Sequence, residues 1–309
     1  MNNNNKLKII PIDHGYKNIK TNNICFPTGL TELKLMPDDK RGVIKFNNKI
    51  YLEGGQKLNY VDNTDKTTNE DYYILTLISI AKELKLQNVH DARVHLVTGL
   101  PQRWYDKQKE GFEKYLKKYK DVNFKYENEV YNIKIDKVSV YSQGYSAFMG
   151  LDNASNYLNK EVYLVDIGGG TINIIRCDNG RIVTEGSKIE TRATIWLMKQ
   201  IQEIVESELG VPIPESIIID YMQKGGINKT PKNKYEKIIQ KELISYAELI
   251  LRLLKEYRIN IDLTPIFFIG GGSIIMKNFA KFGEMCDVHF VTDLKANAKG
   301  YKTIAQLIG

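Results

Sequence analysis

The stretch that most constrains the fold is a predicted β-hairpin at residues 161–176, EVYLVDIGGGTINIIR, in which an apolar run and an alternating run flank a glycine tip. The tip carries Asp166, Gly168, Gly169, Gly170 and Thr171. Because glycine has no Cβ and readily adopts positive φ, we expect the three glycines to turn successive amide N–H groups toward one anion. A carboxylate beside an anion site is electrostatically reasonable only with a cation between them. The hairpin therefore predicts Mg²⁺ with a nucleoside phosphate, against the alternative of a tight glycine-rich turn.

Two further glycine loops also follow apolar runs. Residues 7–21, LKIIPIDHGYKNIKT, read as a strand, Asp13, Gly15 and a returning strand. Residues 265–276, PIFFIGGGSIIM, read as a buried strand running into three glycines and a serine. Ligands of open α/β sheets bind at the carboxyl ends of the strands. Three such loops at strand ends therefore predict two sheets that face one another across a ligand cleft.

The three loops, taken in this order, resemble the ATPase core shared by actin, sugar kinases and heat-shock chaperones. The resemblance extends over essentially the whole chain and implies an α/β actin-like ATPase fold, with two ribonuclease-H-like domains flanking a nucleotide cleft. We expect domain I at residues 1–160 plus 290–309, with a small β-rich subdomain near 28–70, and domain II at residues 161–289.

Two shorter motifs are similar to the ParM and StbA group of bacterial plasmid-segregation actins. One is Thr-Gly-Leu-Pro at residues 98–101, followed by an aromatic pair at Trp104 and Tyr105. The other is Ala-Asn-Ala-x-Gly-Tyr at residues 296–301, entering the last predicted helix. The small residues of the second motif permit close helix packing beside the cleft, and packing alone is the alternative interpretation.

The resemblance also implies roles for charged and amide side chains. Asp13 and Asp166 would hold Mg²⁺, mostly through water, with structural capping as the alternative. Lys20 closes the superfamily pattern Asp-x-Gly-x-x-Asn-x-Lys and would reach the β- and γ-phosphates, or else be a solvated strand lysine. Gln143, where a strand hands over to a helix, would orient the attacking water, or else be a polar helix cap. The expected catalytic residues are Gln143, Asp166 and Asp13, with Asp166 helping to accept the proton.

The expected cofactors are ATP, with GTP possible, and Mg²⁺. The residues expected to contact the nucleotide are Gly15, Tyr16, Lys17, Asn18, Lys20, Gly168, Gly169, Gly170, Thr171, Lys241, Glu242, Gly270, Gly271, Gly272 and Ser273. Many relatives have small hydroxyl residues where this chain has Tyr16 and Lys17, so backbone N–H groups must serve the γ-phosphate there. Lys241 and Glu242 are candidates by position only, and an exposed ion-pair role is the alternative.

The remaining pattern predicts secondary structure around these loops. We expect helices at residues 72–84, 191–208 and 235–257, and strands at 94–98, 124–130, 131–135, 137–141 and 288–292. The most basic stretch, residues 107–125, has aromatic residues and leucine at helical spacing and predicts an amphipathic surface helix with solvated lysines, with nucleic-acid contact as the alternative.

Composition narrows the functional class. The chain has 309 residues, 42% of them hydrophobic, and a formal net charge of +7, which permits acidic partners without demanding them. No apolar stretch approaches the roughly 20 residues of a membrane span, and the amino terminus lacks the apolar core of a signal peptide, so we expect a cytoplasmic protein without a membrane partner.

The function implied by the resemblance is an actin-like ATPase that polymerises with Mg-ATP or Mg-GTP and segregates plasmid DNA. Its expected partners are further copies of itself in a helical filament and an adaptor protein bound to a centromere-like site, so that DNA is contacted only indirectly. The alternative is a small-molecule kinase of the same superfamily. A kinase needs an Asp base aimed at the acceptor hydroxyl, and no Asp lies between Leu100 and Arg103.

Overall fold

The computed structural model describes residues 7–57 and 69–308, and the chain divides into two compact units. Unit 1 comprises residues 1–151 and 297–309, and unit 2 comprises residues 152–296. Residues 58–68, part of the expected β-rich subdomain, lie outside the described residues. No described helix is long and apolar enough to cross a lipid bilayer.

Unit 1 is built on a nine-stranded mixed sheet with strand order β3-β2-β1-β7-β9-β8-β5-β6-β4. Its strands are β1 (Lys8–His14), β2 (Asn18–Thr21), β3 (Cys25–Pro27), β4 (Gly29–Leu33), β5 (Val43–Phe46), β6 (Lys49–Lys57), β7 (Asp91–Leu100), β8 (Asp121–Tyr126) and β9 (Glu129–Ser142). Strands β1, β7 and β9 run parallel to one another, so their carboxyl ends share one edge of the sheet. The helices are α1 (Glu70–Lys85), α2 (Gln102–Leu116), α3 (Tyr145–Met149) and α8 (Ala296–Ile308).

Helix α1 confirms the helix predicted at residues 72–84. Asn69 caps its first turn by accepting a hydrogen bond from the amide of Asp71. The sequence placed apolar residues on one face, whereas every residue from 72 to 81 is buried. A helix that is apolar nearly all round belongs inside a core, and here α1 contributes to the main core of unit 1 together with the sheet.

The prediction of one helix over residues 107–125 is wrong. Helix α2 ends at Leu116, and residues 121–126 form strand β8, whose Val122, Phe124 and Tyr126 alternate with exposed residues. This alternation pairs β8 antiparallel with β9, with Phe124 opposite Tyr131. The spacing of the aromatic residues fits a helix locally, but the strand buries three large side chains in the core.

The separate strand predicted at residues 137–141 is the second half of β9. The register shifts between Val94 and His95, so that they face Ile135 and Lys137 and leave Asp136 as the extra residue of a β-bulge. The polar pair Asp136 and Lys137 resembles a turn in the sequence, but the bulge carries the strand through it.

Unit 2 has a five-stranded sheet in the order β12-β11-β10-β13-β14. Its strands are β10 (Val162–Ile167), β11 (Ile172–Asp178), β12 (Arg181–Glu190), β13 (Ile266–Ile269) and β14 (Val288–Val291). Its helices are α4 (Thr194–Leu209), α5 (Glu215–Lys224), α6 (Lys234–Glu256) and α7 (Ser273–Phe279). The β10–β11 hairpin is antiparallel, as predicted, and β13 lies parallel to β10 on its other side.

The two long helices predicted in unit 2 are confirmed as α4 and α6. Helix α4 ends at Leu209 and is capped by Gly210, whose φ of 71° is the left-handed conformation that glycine adopts most readily at a helix end. Buried residues of both helices, including Leu197, Ile201, Leu243 and Ile250, share one hydrophobic core with strand β10.

Candidate functional site

In unit 1 the candidate site is centred on Asp13, near the carboxyl end of β1. The side chain of Asp13 is almost fully buried, at 3% exposure. Lys20 lies directly opposite on β2, and its Nζ is 3.2 Å from Asp13 Oδ2. Gln143, at the end of β9, donates from Nε2 to Asp13 Oδ1 at 2.8 Å. Three residues that the sequence singled out separately are thus in direct contact within one unit.

The backbone beside Asp13 is tightly enclosed. A Cβ added at Gly15 would lie 2.5 Å from Lys20 Nζ and 2.6 Å from the carbonyl oxygen of Asn18, so no larger residue fits there. Thr28 fixes the loop from outside, because its hydroxyl donates to the Gly15 carbonyl at 2.7 Å and its amide donates to the Lys17 carbonyl at 2.9 Å. Thr28 was not among the predicted site residues, because nothing in its local sequence marks it as a partner of this loop.

His14 anchors the same loop from inside the core and is fully buried. The hydroxyl of Thr76 donates to the Tyr72 carbonyl at 2.7 Å, so it must accept the hydrogen bond from His14 Nε2 at 2.8 Å. His14 Nδ1 forms a hydrogen bond with the hydroxyl of Thr98 at 3.0 Å. The imidazole therefore carries a proton on Nε2, and its two hydrogen bonds tie the Asp13 loop to α1 and β7.

The side chains of Tyr16, Lys17 and Asn18 are partly buried in this loop. Burial raises the pKa of the Tyr16 phenol above its ordinary value, so the hydroxyl stays protonated and neutral in the physiological range.

In unit 2 the predicted hairpin places Asp166 opposite Asn173 on β11, and both are buried. The Gly168 amide donates to the Thr171 carbonyl at 2.9 Å and closes the tip. Within the described parts of the chain, the amides of Gly169 and Gly170 donate no hydrogen bond. These two N–H groups therefore have no internal acceptor among the described residues, and their contact with an anion stays a prediction.

None of Gly168, Gly169 and Gly170 uses the positive φ that glycine allows. The start of α4 sets their conformation instead. The amides of Thr194 and Ile195 donate to the carbonyls of Gly168 and Gly169 at 3.2 and 3.0 Å. The first turn of a helix has unpaired N–H groups, and here two of them bind the carbonyls of the tip.

The glycine loop that follows β13 lies beside the glycine tip of the β10–β11 hairpin. The two are adjacent because β13 and β10 are neighbouring parallel strands with Ile269 opposite Asp166. Gly270 has a φ of +82°, and a Cβ there would lie 2.5 Å from Asp166 Oδ1. The amide of Gly272 donates to the Ile167 carbonyl at 3.0 Å. Only glycine at position 270 lets the two loops approach this closely.

Ser273 closes the same loop at the start of α7. Its hydroxyl lies 2.7 Å from the Gly270 carbonyl and 3.1 Å from the Val291 carbonyl, so it is engaged by the protein backbone. The adjacent amide of Gly271 donates no hydrogen bond within the described residues.

Lys241 and Glu242 lie near the start of α6, exposed and half-buried respectively. Neither forms an ion pair or hydrogen bond with any residue that the structure describes, so the alternative of an exposed ion pair has no support. The structure brings neither residue to the glycine loops by a hydrogen bond.

The residues of these sites are of the kind that could bind Mg²⁺ together with a nucleotide. Asn173, paired with Asp166 across the hairpin, has a buried Oδ1 that finds no hydrogen-bond partner among the residues the structure describes. No described group of three or more His, Cys, Asp or Glu residues could hold a metal by itself. Mg²⁺ is usually bound by one or two carboxylates together with substrate phosphates and water, and these oxygen atoms and open amides fit that pattern.

Comparison with known proteins identifies the architecture. Residues 12–145, from the end of β1 through Gln143, match the family described as actin like proteins N terminal domain. The archaeal actin homolog Ta0583 has a similar structure, with a TM-score of 0.78 and 17% identity, covering 97% of this chain and 99% of that one. The ParM of a 15-stranded filament from Clostridium botulinum is also similar, with a TM-score of 0.74 and 20% identity over 98% and 99% of the two chains.

A third similar structure is Bacillus thuringiensis ParM with AMPPNP, with a TM-score of 0.71 and 14% identity over 98% and 99% of the two chains. No curated protein sequence matches the chain significantly. The fold is the one found in actin homologues. More particularly, residues 12–145 are similar to the amino-terminal domain of the actin-like proteins, and the architecture of the chain is similar to that of ParM.

Proposed function

We propose that this chain is a cytoplasmic actin-like nucleotidase that binds Mg-ATP or Mg-GTP, hydrolyses it and assembles into filaments with further copies of itself. The observation that carries the proposal is the Asp13 carboxylate, buried in the matched actin-like domain and held by Lys20 and Gln143. A carboxylate, a lysine and a positioned amide at a strand end are what phosphoryl transfer needs from a protein.

Both units contain residues of a kind that suits a Mg-nucleotide. In unit 1, Asp13 would hold the metal through water, and the positively charged Lys20 would bind phosphate. In unit 2, Asp166 and Asn173 supply oxygen atoms for the metal, and the open amides of the glycine tip supply hydrogen-bond donors for an anion. When bound, Mg²⁺ would neutralise the charge that develops on the phosphate oxygens.

Gln143 is assigned the water-positioning role. Its Nε2 is committed to Asp13, which fixes the rotation of the amide. Its Oε1 forms no hydrogen bond within the described residues and is free to accept one from a water molecule. A fixed acceptor orients the water's lone pair, and such positioning supplies much of the catalysis in phosphoryl transfer. The roles of Asp166 in holding the metal and accepting the proton belong to the same proposal.

Assembly and plasmid segregation rest on the comparisons. Two of the similar structures are described as filaments, the Clostridium botulinum ParM and Alp12. Heterologous contacts that do not close into a ring generate helical filaments. We infer that an adaptor protein links such a filament to plasmid DNA. The similar structures named here are actin homologues, which does not favour the small-molecule kinase.

The test uses the full chain, followed by light scattering, pelleting and electron microscopy with Mg-ATP, Mg-GTP, Mg-ADP and no nucleotide. We expect filaments with a triphosphate. Asp166→Asn should weaken both nucleotide binding and turnover. The matched control is Asp220→Asn on α5, which loses only an exposed ion pair with Lys224 and should behave as wild type.

The outcomes separate the parts of the proposal. A wild-type chain that binds nucleotide but scatters no light well above micromolar concentrations is not a filament protein. A wild-type chain that binds no nucleotide refutes the proposal as a whole.

Indirect DNA contact has its own test. We expect the isolated protein to bind plasmid DNA weakly, because its lysines are dispersed and α2 is an ordinary surface helix. Tight binding that weakens steeply as salt rises, the signature of counterion release, would contradict this part.

A further inference from the structure

Gly144, the residue after Gln143, has an unusual backbone conformation. Its φ and ψ are 73° and −59°, and the Tyr145 amide donates to the Gln143 carbonyl at 2.9 Å. An i to i+2 hydrogen bond with a positive φ defines a γ-turn of the rare kind, which glycine can adopt without a steric penalty. Because glycine also has many other conformations available, contacts from its surroundings must select this one.

The partner that holds this turn comes from the other end of the chain. Asn297, on the first turn of α8, accepts a hydrogen bond from the Gly144 amide on its side-chain Oδ1 at 2.8 Å. Asn297 is 8% exposed, and the contact joins residues 153 positions apart. The Gln143 amide, in turn, donates to the Leu100 carbonyl at 2.9 Å. The peptide groups on both sides of the Gln143 Cα are therefore fixed.

Helix α8 can reach Gly144 because it packs backbone to backbone against α3. A Cβ on Gly300 would overlap the Ser146 carbonyl, and a Cβ on Gly150 would lie 2.9 Å from the Gly300 Cα. The short helix α3 starts directly after the γ-turn. The turn, α3 and the start of α8 are thus one packed assembly, with the Gln143 side chain leaving it toward Asp13.

We propose that Asn297 is a positioning residue for hydrolysis: it holds the Gly144 γ-turn and thereby aims the Gln143 amide at Asp13. Asn297 acts through Gln143 and touches no reacting atom. The proposal rests on the proposed function, because it gives Gln143 the water-positioning role. It also explains the asparagine of the Ala-Asn-Ala motif, which small-residue packing alone leaves without a purpose.

The first test is a double-mutant cycle measured as phosphate release by the full chain. Asn297→Ala should lower kcat by roughly tenfold to a hundredfold and leave the KM for nucleotide within about twofold, since only positioning is lost. In a Gln143→Ala background the same substitution should change kcat little. Asn297→Asp keeps the Oδ acceptor and should restore most of the rate. Gln306→Ala, at an exposed position of the same helix, is the control.

A second measurement does not depend on hydrolysis. Hydrogen exchange of a peptide covering residues 142–149 reports whether the Gly144 amide is protected. Asn297→Ala should lose this protection, whereas Asn297→Asp and Gln306→Ala should keep it. Unchanged protection in Asn297→Ala would show that the side chain does not hold the turn, and the proposal would be abandoned.

The kinetic outcomes decide the rest. An equal fall in kcat with and without Gln143 means that Asn297 acts independently of it, which overturns the positioning role. A wild-type chain that releases no phosphate refutes the proposed function and the role of Asn297 in hydrolysis, while hydrogen exchange still tests the turn.

Discussion

Replacing Gly300 by alanine sets two effects of opposite sign against each other. Gly300 lies inside helix α8, where glycine is about 0.8–1.0 kcal/mol less favourable than alanine. On helix propensity alone, Gly300→Ala should stabilise the protein. The added Cβ, however, would lie well within 3.0 Å of the Ser146 carbonyl and 3.0 Å from the Ala147 amide nitrogen.

The packing term should win. Both obstructing groups are backbone, which cannot rotate away as a flexible side chain can, so the helices must separate. Overpacking of this kind costs typically 1–3 kcal/mol, and the severity of the overlap puts it at the upper end. Separation also strains the Gly144–Asn297 hydrogen bond, at about 1 kcal/mol. Subtracting the propensity gain leaves a net loss of about 3 kcal/mol in unit 1.

The chain offers a clean assay, because one of its two tryptophans lies on α2 of unit 1 and the other on α4 of unit 2. In a Trp196→Phe background, Trp104 fluorescence follows unit 1 in urea. With a slope of about 3 kcal/mol per molar urea, the midpoint should fall by about 1 M. The matched control is Gly54→Ala, where φ is +74° but no described heavy atom beyond the two chain neighbours would lie within 4 Å of the added Cβ, and the expected loss is only about 1–2 kcal/mol. A Gly300→Ala chain as stable as wild type would refute the backbone contact between α8 and α3.

Three further predictions follow from the site and from burial. Gln143→Ala should lower phosphate release by about 10²-fold while filaments still form and persist; phosphate release at the wild-type rate would remove Gln143 from the mechanism. Burial lowers the pKa of His95 from 6.5 to about 4. Because the unfolded chain then binds the proton at a higher pH than the folded chain does, the free energy of unfolding should fall as pH drops from 6.5 to 4, by less than about 1.4 kcal/mol per pH unit. His95→Gln should reduce the dependence of the unfolding free energy on pH, measured by urea titrations at several pH values. An unchanged pH dependence would mean that a group other than His95 causes it. Burial raises the pKa of Cys177 to about 12, so Ellman's reagent should modify the exposed Cys25 in the native protein and Cys177 only after unfolding; rapid native labelling of Cys177 would contradict its burial.

The sequence was most informative where chemistry and local geometry coincide. All three glycine loops follow strands, as the apolar runs before Asp13, Asp166 and Gly270 predicted, and the hairpin at residues 161–176 is present. Gln143 stands at a strand-to-helix junction, also as predicted. In each of these places a short segment contains its own signal: a buried strand, then residues that only a turn or a ligand site accommodates.

The features that the sequence did not predict correctly depend on partners distant in the chain. The helical spacing of aromatic residues within 107–125 predicts one helix, but residues 121–126 pair with β9 as a strand, and no local window of sequence contains that partner. The conformation of the tip at Gly168 and Gly169 is set by amides of α4 some 26 residues later. The role of Asn297 depends on a bond across 153 positions, which the small residues around it make possible but do not reveal.

Unit 1 is formed by two separate segments of the chain, so it cannot be completed early in translation. Residues 1–151 emerge from the ribosome first, yet the helix that supplies Asn297, Gly300 and Tyr301 is translated only after the whole of unit 2. Unit 2 is continuous and has its own core, so it can reach its native state while unit 1 still exposes the apolar surface around Val97 that α8 covers. Domains usually fold amino-terminal first during translation. In this chain unit 1 lacks its last helix until unit 2 has been synthesised, so its apolar surface around Val97 stays uncovered during that interval.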